Sequence, residues 1–238
     1  MSVISYPNTP ITADELWLLP SMVVLDLDFT VWPFDCGAFM QSPFKLTDWG
    51  IVDRNYSRAE PYTDLRAIMS FLVDNDVPVS ICSRNTDITS IESLMRCIKF
   101  NCKRGLISMW DVIPEAQIHA YSSDRTGGKN KHFTLLELCT GVDLTKVLFF
   151  DDLEENIRYA RQRGITCVHV STTTGLNWSM LRLGLQRYAT AGHVHSVEPL
   201  ITPDVPVVEA AGLVERDGDE AQEILKVVKY VVESALSL

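Results

Sequence analysis

Apolar residues fall along this chain in short continuous runs separated by stretches of helical spacing. Runs at 22–27, 77–82, 145–150 and 165–170 predict strands buried on both faces, which show no polar alternation. Between them, Leu65, Ile68, Met69, Leu72 and Val73 recur at three- and four-residue intervals and predict a helix over 63–75. Ile88, Ile91, Leu94, Met95 and Ile98 predict a second over 87–98. Phe133, Leu135, Leu136 and Leu138 predict a third over 131–140, ending near Gly141. Further helices are expected over 153–163, with Gly164 as stop signal, and over 176–190. A short strand is expected after Pro114 within 113–121, whereas 99–118 is only weakly periodic. Near the start, Thr12 and the acids after it read as the cap of a short helical turn before Pro20.

Strands and helices that alternate with short connections imply an α/β fold, a doubly wound parallel sheet covered by helices on both faces. The stretch 31–63 breaks the alternation. Pro33, Pro43, Gly50 and Pro61 interrupt every helical window, so a β-hairpin flap is expected, placed to cover a site after the first strand. The character changes again near residue 192. From 193 to 238 there are nine acidic and three basic residues, with Pro199, Pro203 and Pro206. This divides the chain into a main domain, 1–192, and an acidic connector ending in an amphipathic helix, 220–238. That helix carries Ile224, Val227, Val228, Val231, Ala235 and Leu238 on one stripe. It is expected to pack on the core or to form a contact, leaving a monomer or weak dimer.

Composition narrows the function classes. The chain has 238 residues and a net charge of −10, which argues against nucleic-acid binding and against docking on anionic membranes. The six cysteines form no CxxC pair or zinc-finger spacing, and no signal-peptide pattern opens the chain. Both fit a reducing, cytoplasmic setting.

The candidate chemistry sits where predicted strands end. Asp26 and Asp28 follow the first strand, with Thr30 two residues on. In an extended segment their carboxylates point to one side, and two like charges so close need a cation or shared proton. Asp151 and Asp152 end the run at 145–150, where an unpaired buried acid would be costly. Asp26, Asp28 and Asp151 together can hold a hard cation such as magnesium. Ser83, Arg84 and Lys129 offer hydrogen-bond donors and positive charge to phosphate oxygens, and a helix opening at 85–87 favours an anion. In a doubly wound sheet the carboxyl ends of neighbouring strands meet in one crevice, so these residues can converge.

The stretch Asp-Leu-Asp-Phe-Thr-Val-Trp-Pro-Phe at 26–34 resembles the first motif of the haloacid dehalogenase-like phosphohydrolases, and within them the magnesium-dependent phosphatase-1 family. Cys-Ser-Arg-Asn-Thr, Gly-Gly-Lys-Asn-Lys-His-Phe and Phe-Phe-Asp-Asp-Leu-Glu-Glu-Asn-Ile are similar to the later motifs, in order, over about 22–190. The resemblance implies a capless haloacid dehalogenase-like fold and a magnesium-dependent phosphatase acting through an aspartyl-phosphate. Asp26 would be nucleophile and metal ligand. Asp28 would be acid and base, meeting the metal through its carbonyl. Asp151 would complete the metal site, and Lys129 would neutralise nucleophile and phosphate. Leu27, Asp28, Ser83, Arg84 and Lys129 would surround the phosphate, with Thr30 and Asp152 in support. The implied substrates are phosphate esters on small molecules or phosphoproteins, phosphotyrosine and sugar-phosphate adducts among them. Where the family carries a second tryptophan this chain has Asp35, expected to meet the leaving group and to disfavour acidic or aromatic ones. Two rivals use the same residues: a phospho-acceptor switch resembling receiver domains, and a non-catalytic interaction protein on a phosphatase scaffold.

Overall fold

A computed structural model describes residues 8–12, 17–122 and 128–194. The expected turn after Thr12 and the acidic extension with its terminal helix lie outside the described residues. The described fold belongs to the first of two units into which the chain divides, Met1–His193. No helix among the described residues is long and apolar enough to cross a membrane.

The chain-order elements are β1 (Met22–Leu25), β2 (Lys45–Thr47), β3 (Gly50–Val52), α1 (Leu65–Asp74), β4 (Val79–Ser83), α2 (Ile88–Cys97), β5 (Lys99–Cys102), β6 (Gly105–Ser108), α3 (Met109–Val112), β7 (Ile118–Ala120), α4 (Asn130–Thr140), β8 (Val147–Asp151), α5 (Glu154–Gln162), β9 (Thr166–His169) and α6 (Trp178–Val194). Five strands form a parallel sheet in the order β7-β4-β1-β8-β9. This is the doubly wound parallel sheet that the alternating pattern predicts, and it agrees with the haloacid dehalogenase-like fold that the motif resemblance implies. The central strand, β1, is buried at all four positions, as its unbroken apolar run requires. Val23 and Leu25 join the larger apolar cluster, while Met22 and Val24 face a second one against Phe133, Leu136 and Phe149. The order sets β4 and β8 on either side of β1, so their carboxyl ends lie side by side.

The hairpin flap is present: β2 and β3 pair antiparallel, with Thr47 opposite Gly50. Several other expectations shift. The weakly periodic stretch is a second antiparallel hairpin, β5 with β6, followed by a one-turn α3 held by a Ser108–Asp111 capping box. The short strand expected after Pro114 is present at Ile118–Ala120, preceded by a 3-10 turn over Glu115–Gln117. In α4, Leu138 is exposed and His132 takes a buried place beside Phe133. Most consequential, the first strand stops at Leu25 rather than at residue 27. The carbonyl of Leu27 instead accepts from the amides of Thr30, Val31 and Trp32 in a tight turn, and Phe29 takes a left-handed φ of 59°.

Candidate active site

A cavity of about 450 Å³ opens at the carboxyl end of the sheet. Asp26, Asp28, Asp35, Ser83, Arg84, Lys129 and Asp152 line it, together with Phe29, Asn85, Thr86, Leu153 and Asn156. Residues as far apart in the chain as Asp26 and Asp152 thus meet because three parallel strands end together.

Lys129 is the hub. It is fully buried, and its Nζ lies 2.6 Å from Asp26 Oδ1 and 2.6 Å from Asp151 Oδ2. It stands just before α4, after Gly128, whose φ is +54°. A Cβ at Gly128 would come within 2.3 Å of the Tyr159 ring, so only glycine lets the chain pass there. Burial alone would lower the Lys129 pKa, but Asp151 and Asp26 outweigh it and raise it. Burial also pushes the Asp26 carboxyl up to about 8; Asp151 and Asp152 add to the rise and Lys129 opposes it. Asp152 is raised by burial and by Asp151.

The carboxylates of Asp26, Asp151 and Asp152 lie with one oxygen each within 4.8 Å of one another. Three carboxylates against one ammonium leave two formal negative charges in a buried space, which is costly without a further cation. All the donors are hard oxygens, so the set fits a hard divalent ion such as magnesium. Asp151 is held in place by the Leu153 amide at 2.7 Å and by Asn156 Nδ2 at 3.1 and 3.0 Å.

Asp28 does not share this carboxylate cluster. Because the strand ends at Leu25, the two-residue alternation fails, and Asp26 and Asp28 face different partners. Oδ1 of Asp28 accepts from Trp32 Nε1 at 2.7 Å and from the Cys36 amide at 2.9 Å, and Oδ2 accepts from Asn85 Nδ2 at 2.8 Å. Burial raises its pKa, these three donors lower it, and Asp35 adds to the rise. Asp152 takes the place in the cluster that the sequence suggested for the Asp28 side chain.

On the facing wall, Ser83 ends β4 and is buried, while Arg84 is exposed. His132 Nε2 lies 2.8 Å from the Ser83 carbonyl and 3.0 Å from that of Tyr121, so its hydrogen sits on Nε2. Burial, with Lys129 close by, pushes this imidazole down to about 3, keeping it neutral beside the phosphate wall. The helix expected to open at 85–87 starts at Ile88, and Asp87 caps it through the Ser90 amide. Asp87 therefore occupies part of the helix terminus that the sequence assigned to an anion.

Two expected residues stand elsewhere. Leu27 does not line the cavity; its side chain is fully buried in the apolar core and its carbonyl closes the turn. Thr30 is also fully buried and does not line the cavity; its carbonyl accepts from the Leu176 amide. Asp35 does line the cavity, half-buried at the root of the flap. Sequence reading assigned no role to Trp32, Asn85 or Asn156. Each lies inside a quoted motif, but as a neutral side chain carries no charge signal of its own.

A parallel sheet with this strand order, ending in a buried lysine, an acidic cluster and a serine–arginine wall, defines a haloacid dehalogenase-like phosphohydrolase. Comparison with known proteins narrows this: residues 18–191 match the model of the Acid Phosphatase family, and the chain belongs to that family. It is 29% identical over 174 residues to human magnesium-dependent phosphatase 1, covering 73% of this chain and 89% of the relative. It is 26% identical over 161 residues to a HAD-like hydrolase superfamily protein of Schizosaccharomyces pombe, covering 66% and 90%. Among solved structures, the N-terminal part of BF1531 from Bacteroides fragilis, containing a phosphatase domain complexed with Mg, superposes with a TM-score of 0.48 at 16% identity. The match covers 70% of this chain and 40% of that one.

Proposed function

We propose that this chain is a magnesium-dependent phosphatase that hydrolyses phosphate monoesters through an aspartyl-phosphate on Asp26. The observation that carries the reading is the buried Lys129 joining Asp26 and Asp151 inside a three-carboxylate cluster. That arrangement is costly as a mere structural device but useful around a dianionic substrate. Asp26, Asp151, Asp152 and the Asp28 carbonyl would hold magnesium, which would neutralise charge on the phosphoryl oxygens. Ser83 and Arg84 bind the phosphate from the facing wall, the guanidinium as a forked donor. Lys129 opposes the rise in the Asp26 pKa and holds its carboxyl in place for attack on phosphorus.

Asp28 gives its proton to the leaving oxygen while the phosphorus–oxygen bond breaks and the bond to Asp26 forms. It then takes a proton from the water that attacks phosphorus and releases the Asp26 carboxylate. The substrates are esters presented at the flap, of the phosphotyrosine or sugar-phosphate type, with Asp35 disfavouring acidic leaving groups.

Assaying 4-nitrophenyl phosphate with and without chelator tests the metal. Removing magnesium lowers turnover by at least about 100-fold, the loss of several kcal/mol of charge stabilisation, and adding it back restores the rate. Undiminished activity in chelator would remove the metal from the reading.

A further inference from the structure

Asn85 has no role in the chemistry described so far, yet it makes four contacts at the cavity wall. Its Nδ2 donates to Asp28 Oδ2 at 2.8 Å and to the Cys36 carbonyl at 2.5 Å. Its Oδ1 accepts from the Asp87 amide at 2.9 Å, and its own amide donates to Ser83 Oγ at 3.2 Å. The side chain therefore ties the N-cap of α2 and the flap root to one carboxyl group, while the backbone amide of the same residue meets the phosphate wall.

The lone pairs of Asp28 show what that tie does. A carboxylate offers about four acceptor positions on its two oxygens. Oδ1 already takes two donors, Trp32 Nε1 and the Cys36 amide. Oδ2 takes one, from Asn85, which leaves a single position on Oδ2 for a proton. Asn85 also holds the Cys36 carbonyl, and so fixes the segment whose amide binds Oδ1.

We infer that Asn85 is a positioning residue that aims the proton-bearing oxygen of Asp28 at the leaving group, and thereby sets how well the enzyme cleaves esters of basic alcohols. This rests on the reading of Asp28 as acid and base given above. The proton passes from Asp28 Oδ2 to the departing oxygen as the phosphorus–oxygen bond breaks, so a misaimed Oδ2 matters most where the leaving oxygen is basic.

The test compares kcat/KM for phenyl phosphate, whose leaving group needs a proton, with that for 2,4-dinitrophenyl phosphate, whose leaving group departs unaided. Asn85→Asp keeps an oxygen for the Asp87 amide and removes the donor to Asp28. Phenyl phosphate is expected to lose about 10- to 100-fold, and dinitrophenyl phosphate less than about threefold, within the range a general acid supplies. Both substrates are read on one preparation, so any inactive fraction cancels in the ratio. Asn85→Ala, which drops the Asp87 contact as well, shows the same ratio. Equal losses on both substrates, or no loss, overturn the inference. Asp28→Asn is the reference. If it discriminates between the substrates and the Asn85 variants do not, only the role of Asn85 falls. If Asp28→Asn also loses both equally, the acid assignment fails and takes the inference with it.

Discussion

Asp26→Asn loses at least about a thousandfold in turnover of an aryl phosphate with magnesium present, the scale seen when a nucleophile is removed. The substitution keeps the shape of the side chain and removes both its charge and its nucleophilicity. It also relieves part of the repulsion among Asp26, Asp151 and Asp152, which lie within 4.8 Å of one another. The variant therefore folds, and is no less stable than the parent in chelator. Loss of activity with retained stability separates chemistry from scaffold. Equal residual activity in the two proteins would mean that Asp26 is not the attacking group.

Lys129→Met has the largest expected effect on stability. Methionine fills much of the volume but leaves Asp26 and Asp151 without the ammonium that each meets at 2.6 Å. Breaking a buried pair by removing one partner costs about 3–5 kcal/mol. The loss depends on pH with a definite sign. Without the ammonium that opposes its rise, folded Asp26 keeps a proton that the unfolded chain releases near the ordinary aspartate pKa of about 4. A folded-state pKa raised in this way gives stability that is full below that value and lost as pH rises toward the folded one. The deficit relative to the parent thus widens from acid to neutral pH, and magnesium recovers part of it by supplying the missing positive charge. Urea unfolding at pH 5 and pH 7, with chelator and with magnesium, measures all of this. A deficit below about 1 kcal/mol that does not change with pH would put the ion contacts on the scale of surface pairs.

What the sequence made legible follows from burial. An apolar run such as Val147–Phe150 that ends in Asp151 has few alternatives to a buried strand with its acid at the sheet's end, and the structure has it so. The face of α1 was legible for the same reason: Leu65, Ile68, Met69, Leu72 and Val73 are all buried. The hairpin of β5 and β6 was not, because each strand has four residues and only one fully buried position. Alternation over so short a span carries no signal. The exchange between Asp28 and Asp152 had a different origin. Period-two reasoning holds only inside a strand, and β1 ends one residue before Asp26. Asn85 was illegible because its meaning lies in a contact 57 residues back along the chain, with Asp28. Neutral amides and indoles become legible as site residues only once the fold has brought their partners to them.

The central claim is that the phosphoryl group passes through Asp26. Asp28→Asn treated with 2,4-dinitrophenyl phosphate tests it most directly: the leaving group departs unaided, while the water that should release the phosphoryl group lacks its base. Acid quenching followed by borohydride reduction converts an acyl phosphate to homoserine, and mass spectrometry locates it. Homoserine at position 26, formed only when magnesium and substrate are both present, is the expected result. Homoserine at another position, or none at 26 despite release of dinitrophenol and phosphate, would contradict the assignment.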